Sequence, residues 1–303
     1  MTCNRRTPSV PAPGLILLLA VVGISSASIL IRISSAPALV IAFYRLVYAA
    51  LLHMILALPG RHSFGDFDRG TLLRSAAAGI FLAVHFGLWI TSLGFTTVAA
   101  STVLVSFHPL ITAAGGYLLF RESLSPKALF AMIAGLVGTA ILAFGGGMGA
   151  STTLTGDLLA LGGAGAMAGY LLVGRFVRRT VGTLPYTVVV YSVASISTAL
   201  IAGALRVPLT GYSMREHAIF LALAILPTLF GHTLLNWALA HVQTSGVSLS
   251  VLGEPVAATV MAWLILDETP ASHQLLGGAV ILVALAGYLR RAGAARRKER
   301  KTI

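Results

Sequence analysis

Glu254 is a carboxyl set in a stretch of Val, Leu, Ala and Met long enough to lie inside a bilayer. Ionisable groups at such depth are costly and face either a cavity or a partner. A lone carboxyl in low dielectric favours its protonated form, so Glu254 is a candidate proton-coupling or gating group. It also precedes Pro255, whose missing N–H frees a backbone carbonyl one turn back, and a protonated carboxyl could cap that kink instead. His85, Trp89 and Ser92, spaced i, i+4, i+7, share one helix face, and His232 and Asn236, spaced i, i+4, share another. An imidazole and an indole offer flat apolar area plus a donor, which suits binding of an amino acid or a similar amphipathic solute. The competing role is packing glue between helices, at about 0.6 kcal/mol per hydrogen bond. Arg45 is a third candidate: a guanidinium holds a carboxylate bidentately, or it can snorkel toward headgroups.

The substrate-binding candidates are therefore His85, Trp89, Ser92, His232, Asn236 and Arg45. No third or fourth ligand stands at metal-binding spacing with the histidines, so neither a metal nor another cofactor is expected. The glycine-rich stretches lack a P-loop lysine, which argues against a nucleotide site. Pro109, Pro227 and Pro255 interrupt apolar runs and are candidate helix hinges. His108 and His53 read as a packed core group and an interfacial one.

These residues are positioned by membrane-spanning helices. Of 303 residues, 57% are hydrophobic and 10% charged, where a soluble domain has roughly 45–50% and about 25%. There is too little charge to cover a water-facing surface. Stretches of about 20 apolar residues, the length that crosses a bilayer, fall at 14–33, 37–58, 72–93, 97–120, 128–147, 156–177, 184–205, 217–240, 245–266 and 272–290. The expected fold class is all-α, a polytopic integral membrane protein of ten transmembrane helices. Arg5-Arg6 and Ser26-Ala27-Ser28 give the first span some look of a signal peptide, but removing it would break the symmetry described next.

His108-Pro109-Leu110-Ile111-Thr112-Ala113-Ala114, running on to Glu122, reads against Glu254-Pro255-Val256-Ala257-Ala258-Thr259-Val260, running on to Glu268. The offset is 146 for both the proline pair and the glutamate pair. Spans 1–5 and 6–10 are thus two copies of one unit. Five is odd, so the second copy enters the membrane from the opposite side: two inverted five-helix repeats around a central cavity, a construction of secondary transporters. The units run over 14–147 and 156–291, followed by a basic tail at 292–303.

With the amino terminus in the cytoplasm, 17 of the 21 basic residues fall on the cytoplasmic side. Arg32, Arg206 and Arg215 fall opposite, and Arg45 lies within a span. That bias places both termini in the cytoplasm. The basic tail is expected to rest on anionic headgroups, so the net charge of +12 speaks of orientation and not of nucleic acid.

At these residues the chain resembles the EamA family of the drug/metabolite transporter superfamily. The resemblance rests on Pro109…Glu122, on Glu254-Pro255…Glu268, on Pro37…Arg45, on His85-Phe86…Trp89…Ser92-Leu93 and on Gly231-His232…Asn236…Leu239. It implies a ten-helix inner-membrane carrier that moves small metabolites, often amino acids and often outward, through a cavity lined by spans 1, 3, 4, 6, 8 and 9. Val193 stands where the first copy has Arg45, and the first copy has no acidic residue facing the cavity. The sequence thus points to a secondary, non-ATP exporter of amino acids or related amphipathic solutes working by alternating access. A facilitative uniporter or exchanger of other metabolites or drugs, and an intramembrane lipid-modifying enzyme, are the alternatives. The expected partners are a small-molecule substrate and membrane lipids, and both a monomer and a homodimer fit.

Overall fold

A computed structural model describes residues 13–58, 67–92, 94–96, 98–122, 125–144, 153–267 and 269–299. Everything regular in it is helix. The first unit comprises α1 (Pro13–Ile33), α2 (Ala38–Ala57), α3 (Arg69–Ser92), α4 (Val98–Val105), α5 (His108–Phe120) and α6 (Pro126–Phe144). The second comprises α7 (Leu154–Val177), α8 (Thr183–Ala204), α9 (Met214–Leu223), a π-helical stretch at Ala224–His232, α10 (Thr233–Leu239), α11 (Thr244–Val251), α12 (Glu254–Leu266) and α13 (Ser272–Glu299). Among the described residues nine helical runs are long and apolar enough to cross a membrane, and the apolar part of α13, Ser272–Tyr288, supplies a shorter tenth. α13 does not stop where the sequence expectation ended the last span: its helix continues through residues 292–299, part of the segment read as a separate tail.

Spans 4 and 9 are each built from two short helices, α4 with α5 and α11 with α12. The breaks fall at equivalent places: both pairs are 8 and 13 residues long. Phe107 and Gly253, which precede α5 and α12, have nearly the same backbone (φ −74, ψ −13 and φ −75, ψ −13). Pro109 and Pro255 sit in the first turn that follows, where a missing N–H costs nothing. At the far ends, Arg121 and Asp267 both take the left-handed conformation at φ 55. Such a C-cap turns the chain back over its own last turn. Every one of these pairs is separated by the 146 residues read from the sequence.

Packing follows the same exchange of halves. α3 lies on α7 as α1 lies on the π-helical stretch and α10, while α2 pairs with α8 and α6 with α13. The close crossings are made by glycines. A side chain at Gly23 would meet the Phe230 backbone at 2.9 Å, and one at Gly231 would meet the Ile24 backbone at 3.0 Å. At the other crossing, a Cβ on Gly138 would lie 2.8 Å from the Gly277 carbonyl. Small residues let helix backbones approach this closely in lipid, where dispersion and backbone contacts drive association.

The exchange is not complete. α5 packs against α11, whereas among the described residues its equivalent, α4 against α12, makes no comparable contact; α4 lies instead on α6 and α7. The α5–α11 contact draws the bundle together on the face where α1 begins.

Candidate functional site

The site grows from a backbone irregularity in span 8. Pro227 has no N–H to give to the Leu223 carbonyl, and the helix widens around it into π geometry. The Thr228 hydroxyl takes the place of the missing donor and bonds to the Leu223 carbonyl at 2.8 Å. Its lone pair then faces α2, where the Arg45 Nε–H donates to it at 2.8 Å. Arg45 does not snorkel: it is buried, with its guanidinium 4.5 Å above the Phe86 ring. That cation–π contact and one hydrogen bond offset only part of the cost of taking the charge from water. The second terminal nitrogen, Nη2, has no partner.

Around this guanidinium stand ring systems from three spans. Phe86 is edge-on to His232 at 5.8 Å and lies 5.1 Å from His85, whose ring stacks on Trp89 at 6.0 Å and 8°. His232 is also edge-on to Tyr170 of α7 at 6.4 Å. His85 Nδ1–H donates to the Gly163 carbonyl at 3.0 Å, which fixes its ring against α7. Asn236 donates to the Tyr170 hydroxyl at 2.6 Å. Four buried polar atoms are left over: Arg45 Nη2, His232 Nδ1, Trp89 Nε1 and the acceptor Asn236 Oδ1. Each unsatisfied group of this kind costs about 1–3 kcal/mol.

Glu254 is the first residue of α12 and is partly buried. Among the described residues it forms no ion pair with Arg45. Its main-chain carbonyl accepts from Ser25 at 3.1 Å, which ties α12 to α1. Ser92, by contrast, is engaged elsewhere, with Ser101 of α4 at 2.6 Å and the Trp89 carbonyl at 2.6 Å. His108, at the position equivalent to Glu254, pairs with Ser248 of α11 at 2.9 Å.

His53 is fully buried, and not at an interface as its place in the sequence suggests. It donates from Nδ1 to the Ala49 carbonyl, and its Nε2 lies 2.7 Å from Thr233 Oγ1. The contributors that sequence reasoning missed are Thr228, Tyr170 and Thr233. The Pro-Thr pair at 227–228 was a signal for the first, because a hydroxyl next to a helix proline can take over the freed carbonyl. Tyr170 carried no comparable mark.

At the rims, polar side chains close helix ends. Asp68 accepts from the Thr71 N–H at 2.6 Å as a cap on α3, and hydrogen bonding to the Thr71 side chain, then to its main chain, holds the carboxyl below the usual carboxylate range. That gives Asp68 a structural duty at the start of α3. Arg178, in the turn after α7, bonds to the Asn236 and Val181 carbonyls and to Thr183, and burial lowers its pKa to about 10.

Comparison with known proteins places this architecture. A Bacillus subtilis (strain 168) protein named as the uncharacterized transporter YdfC is 25% identical over 203 residues, 66% of this chain and 66% of that protein. The chain thus matches just under two thirds of that relative's length. A crystal structure 20% identical in sequence superposes with a TM-score of 0.77 over 95% of this chain and 98% of its own, a likeness of fold. The profile of the EamA-like transporter family matches residues 13–144 and again 154–290. With that double match on a broken-helix bundle of membrane-spanning helices, the chain belongs to the EamA-like transporter family and is a multi-pass membrane protein.

Proposed function

We propose that the protein is a secondary exporter of amino acids or closely related amphipathic solutes, and that its cargo presents a carboxylate to Arg45. The observation that carries this reading is the unpartnered Nη2 of a buried guanidinium that lies over Phe86, with the ring of His232 against the same Phe86. A carboxylate would satisfy Nη2 with a charge-assisted bond, among the stronger hydrogen bonds available in a protein. The free carbonyl oxygen of Asn236 offers an acceptor for an amino group, and the rings of Phe86, His85 and Trp89 offer apolar area for a side chain.

The positive-inside bias puts the face where α1 begins in the cytoplasm, in the inner membrane of a bacterial-type cell. On that assignment the passage is shut toward the cytoplasm by α5 against α11. The two inverted units would then trade roles in each cycle. Glu254, the first residue of α12, is the group that would couple cargo movement to protons. An enzyme of lipid modification would need a nucleophile or clustered carboxylates near the membrane surface, and the site described above offers a cation and ring donors instead.

The test is counterflow in proteoliposomes. Vesicles loaded with an unlabelled amino acid should accumulate the labelled form, competed by free acids with apolar side chains and not by their methyl esters. Equal competition by acid and ester would refute the carboxylate reading. Absence of counterflow across a panel of the standard amino acids would refute the cargo class.

A further inference from the structure

The broken symmetry of the bundle separates parts that move from parts that do not. A contact that recurs after the two halves are exchanged survives a swap between the two faces of the membrane; a contact without a counterpart cannot. α5 on α7 recurs as α12 on α1, and α3 on α7 recurs as α1 on span 8. α5 on α11 has no comparable counterpart, and neither does α4 on α6. Both of these contacts involve an eight-residue helix, α11 in the first and α4 in the second, each joined to its longer partner at a break before Pro109 or Pro255.

α11 is held in its seat by a residue from another span. Its N-cap, Gln243, makes no side-chain capping bond. The orphan N–H of Thr244, in the first turn of the helix, instead donates to Glu122 Oε2 at 3.1 Å. The other oxygen of that carboxylate accepts from Arg175 Nε of α7 at 3.2 Å, and Arg175 Nη1 donates to the Leu239 carbonyl at the end of α10 at 2.5 Å. Local structure aims the carboxylate. Arg121 in the left-handed conformation folds the chain so that the Glu122 N–H bonds to the Gly116 carbonyl at 3.2 Å, and a side chain at Gly116 would come within 3.2 Å of Oε2. The glutamate is 8% exposed. A second tie, His108 to Ser248, holds the other end of α11 to the start of α5.

We propose that Glu122 is the clamp of the passage: a cap donated in trans from span 4 to α11, which keeps the face where α1 begins shut and must let go of the Thr244 N–H once in each transport cycle. Arg175 is its positioning residue, holding the carboxylate on the rigid α5–α7 side. A trans cap sets the closed state's advantage at a size that cargo binding can reverse, because one capping bond changes an equilibrium by about five- to thirtyfold. The proposal rests on the alternating-access reading but needs no knowledge of the cargo.

The experiment uses the full chain in a Cys3→Ser background with a single cysteine at Ser245, a buried position on α11. Membrane-impermeant maleimide is applied to the face where α1 begins. In the otherwise unchanged chain labelling is slow; Glu122→Ala raises its rate about tenfold. Because Glu122→Ala could also loosen the fold, the exchange variant Glu122→Arg with Arg175→Glu is measured beside it. It restores the ion pair but brings a cation to the N-terminus of α11, so its labelling stays fast while its melting temperature returns toward that of the parent. Slow labelling in either variant overturns the clamp. Because no cargo is present, the labelling outcome is independent of the counterflow result, and the two readings fail separately.

Discussion

Arg45→Lys is the sharpest probe of the site because it keeps the charge and removes the fork. In the native site Nε is spent on Thr228 at 2.8 Å while Nη2 is left for cargo. A lysine ammonium is a point charge and cannot hold both positions. Losing one charge-assisted hydrogen bond costs about 1.5–3 kcal/mol, and a loss of about 2 kcal/mol is about a thirtyfold rise in Kd. The assay is ligand-induced thermal stabilisation of purified protein. Cargo at a hundred times its Kd stabilises by about 2.7 kcal/mol. With Kd thirtyfold higher the same cargo concentration gives about 0.9 kcal/mol, so some two thirds of the shift disappears. The methyl ester supplies the control: its disadvantage against the free acid should be large on the native protein and small on the variant. An acid-over-ester preference that is the same in both would show that the guanidinium does not meet the carboxylate.

Three further outcomes are expected. Gly79→Ala places a methyl group 2.7 Å from the Val190 carbonyl on α8, and should destabilise by about 1–3 kcal/mol; Gly165→Ala, with nothing within 4 Å, should be neutral or stabilise by up to about 1 kcal/mol, both read from melting temperatures. His53→Phe deletes the bonds to Ala49 and Thr233 and should cost about 1–3 kcal/mol, a loss that an interfacial histidine would not produce. Glu254→Gln should remove the response of transport to an imposed proton gradient while leaving counterflow intact; an unaltered gradient response would exclude Glu254 as the coupling group.

The spans were legible because apolar length is a nearly sufficient signal in a bilayer, where every backbone polar group must be satisfied within its own helix. The 146-residue offset carried further than expected: it predicts the identical breaks before Pro109 and Pro255 and the matching left-handed caps at Arg121 and Asp267. Glu268, the partner of Glu122 in that repeat, lies outside the described residues, so the comparison of the two glutamates ends with the sequence. The candidates divide unevenly. Arg45, His85 and His232 come together around Phe86, Trp89 joins them by stacking on His85 and Asn236 by its bond to Tyr170, whereas Ser92 shares the helical face of His85 and Trp89 but is engaged with α4. Helical spacing gives direction without depth, and so it could not separate Ser92 from Trp89. The π-helical stretch was invisible because apolar periodicity blurs when a helix is hydrophobic on most sides. His53 was misplaced for a related reason: proximity to a span's end does not say whether a side chain faces lipid headgroups or the next helix.

α11 begins without a cap of its own and takes one from a residue 122 positions earlier in the chain. Its first turn is therefore a tertiary structure and not a local one. During synthesis it has nothing to close on until the first unit is already in the membrane, which orders assembly from the amino-terminal half onward. The same dependence means that the second unit expressed without the first would carry a frayed end at Thr244, and mixing the separately made halves should restore its amide protection.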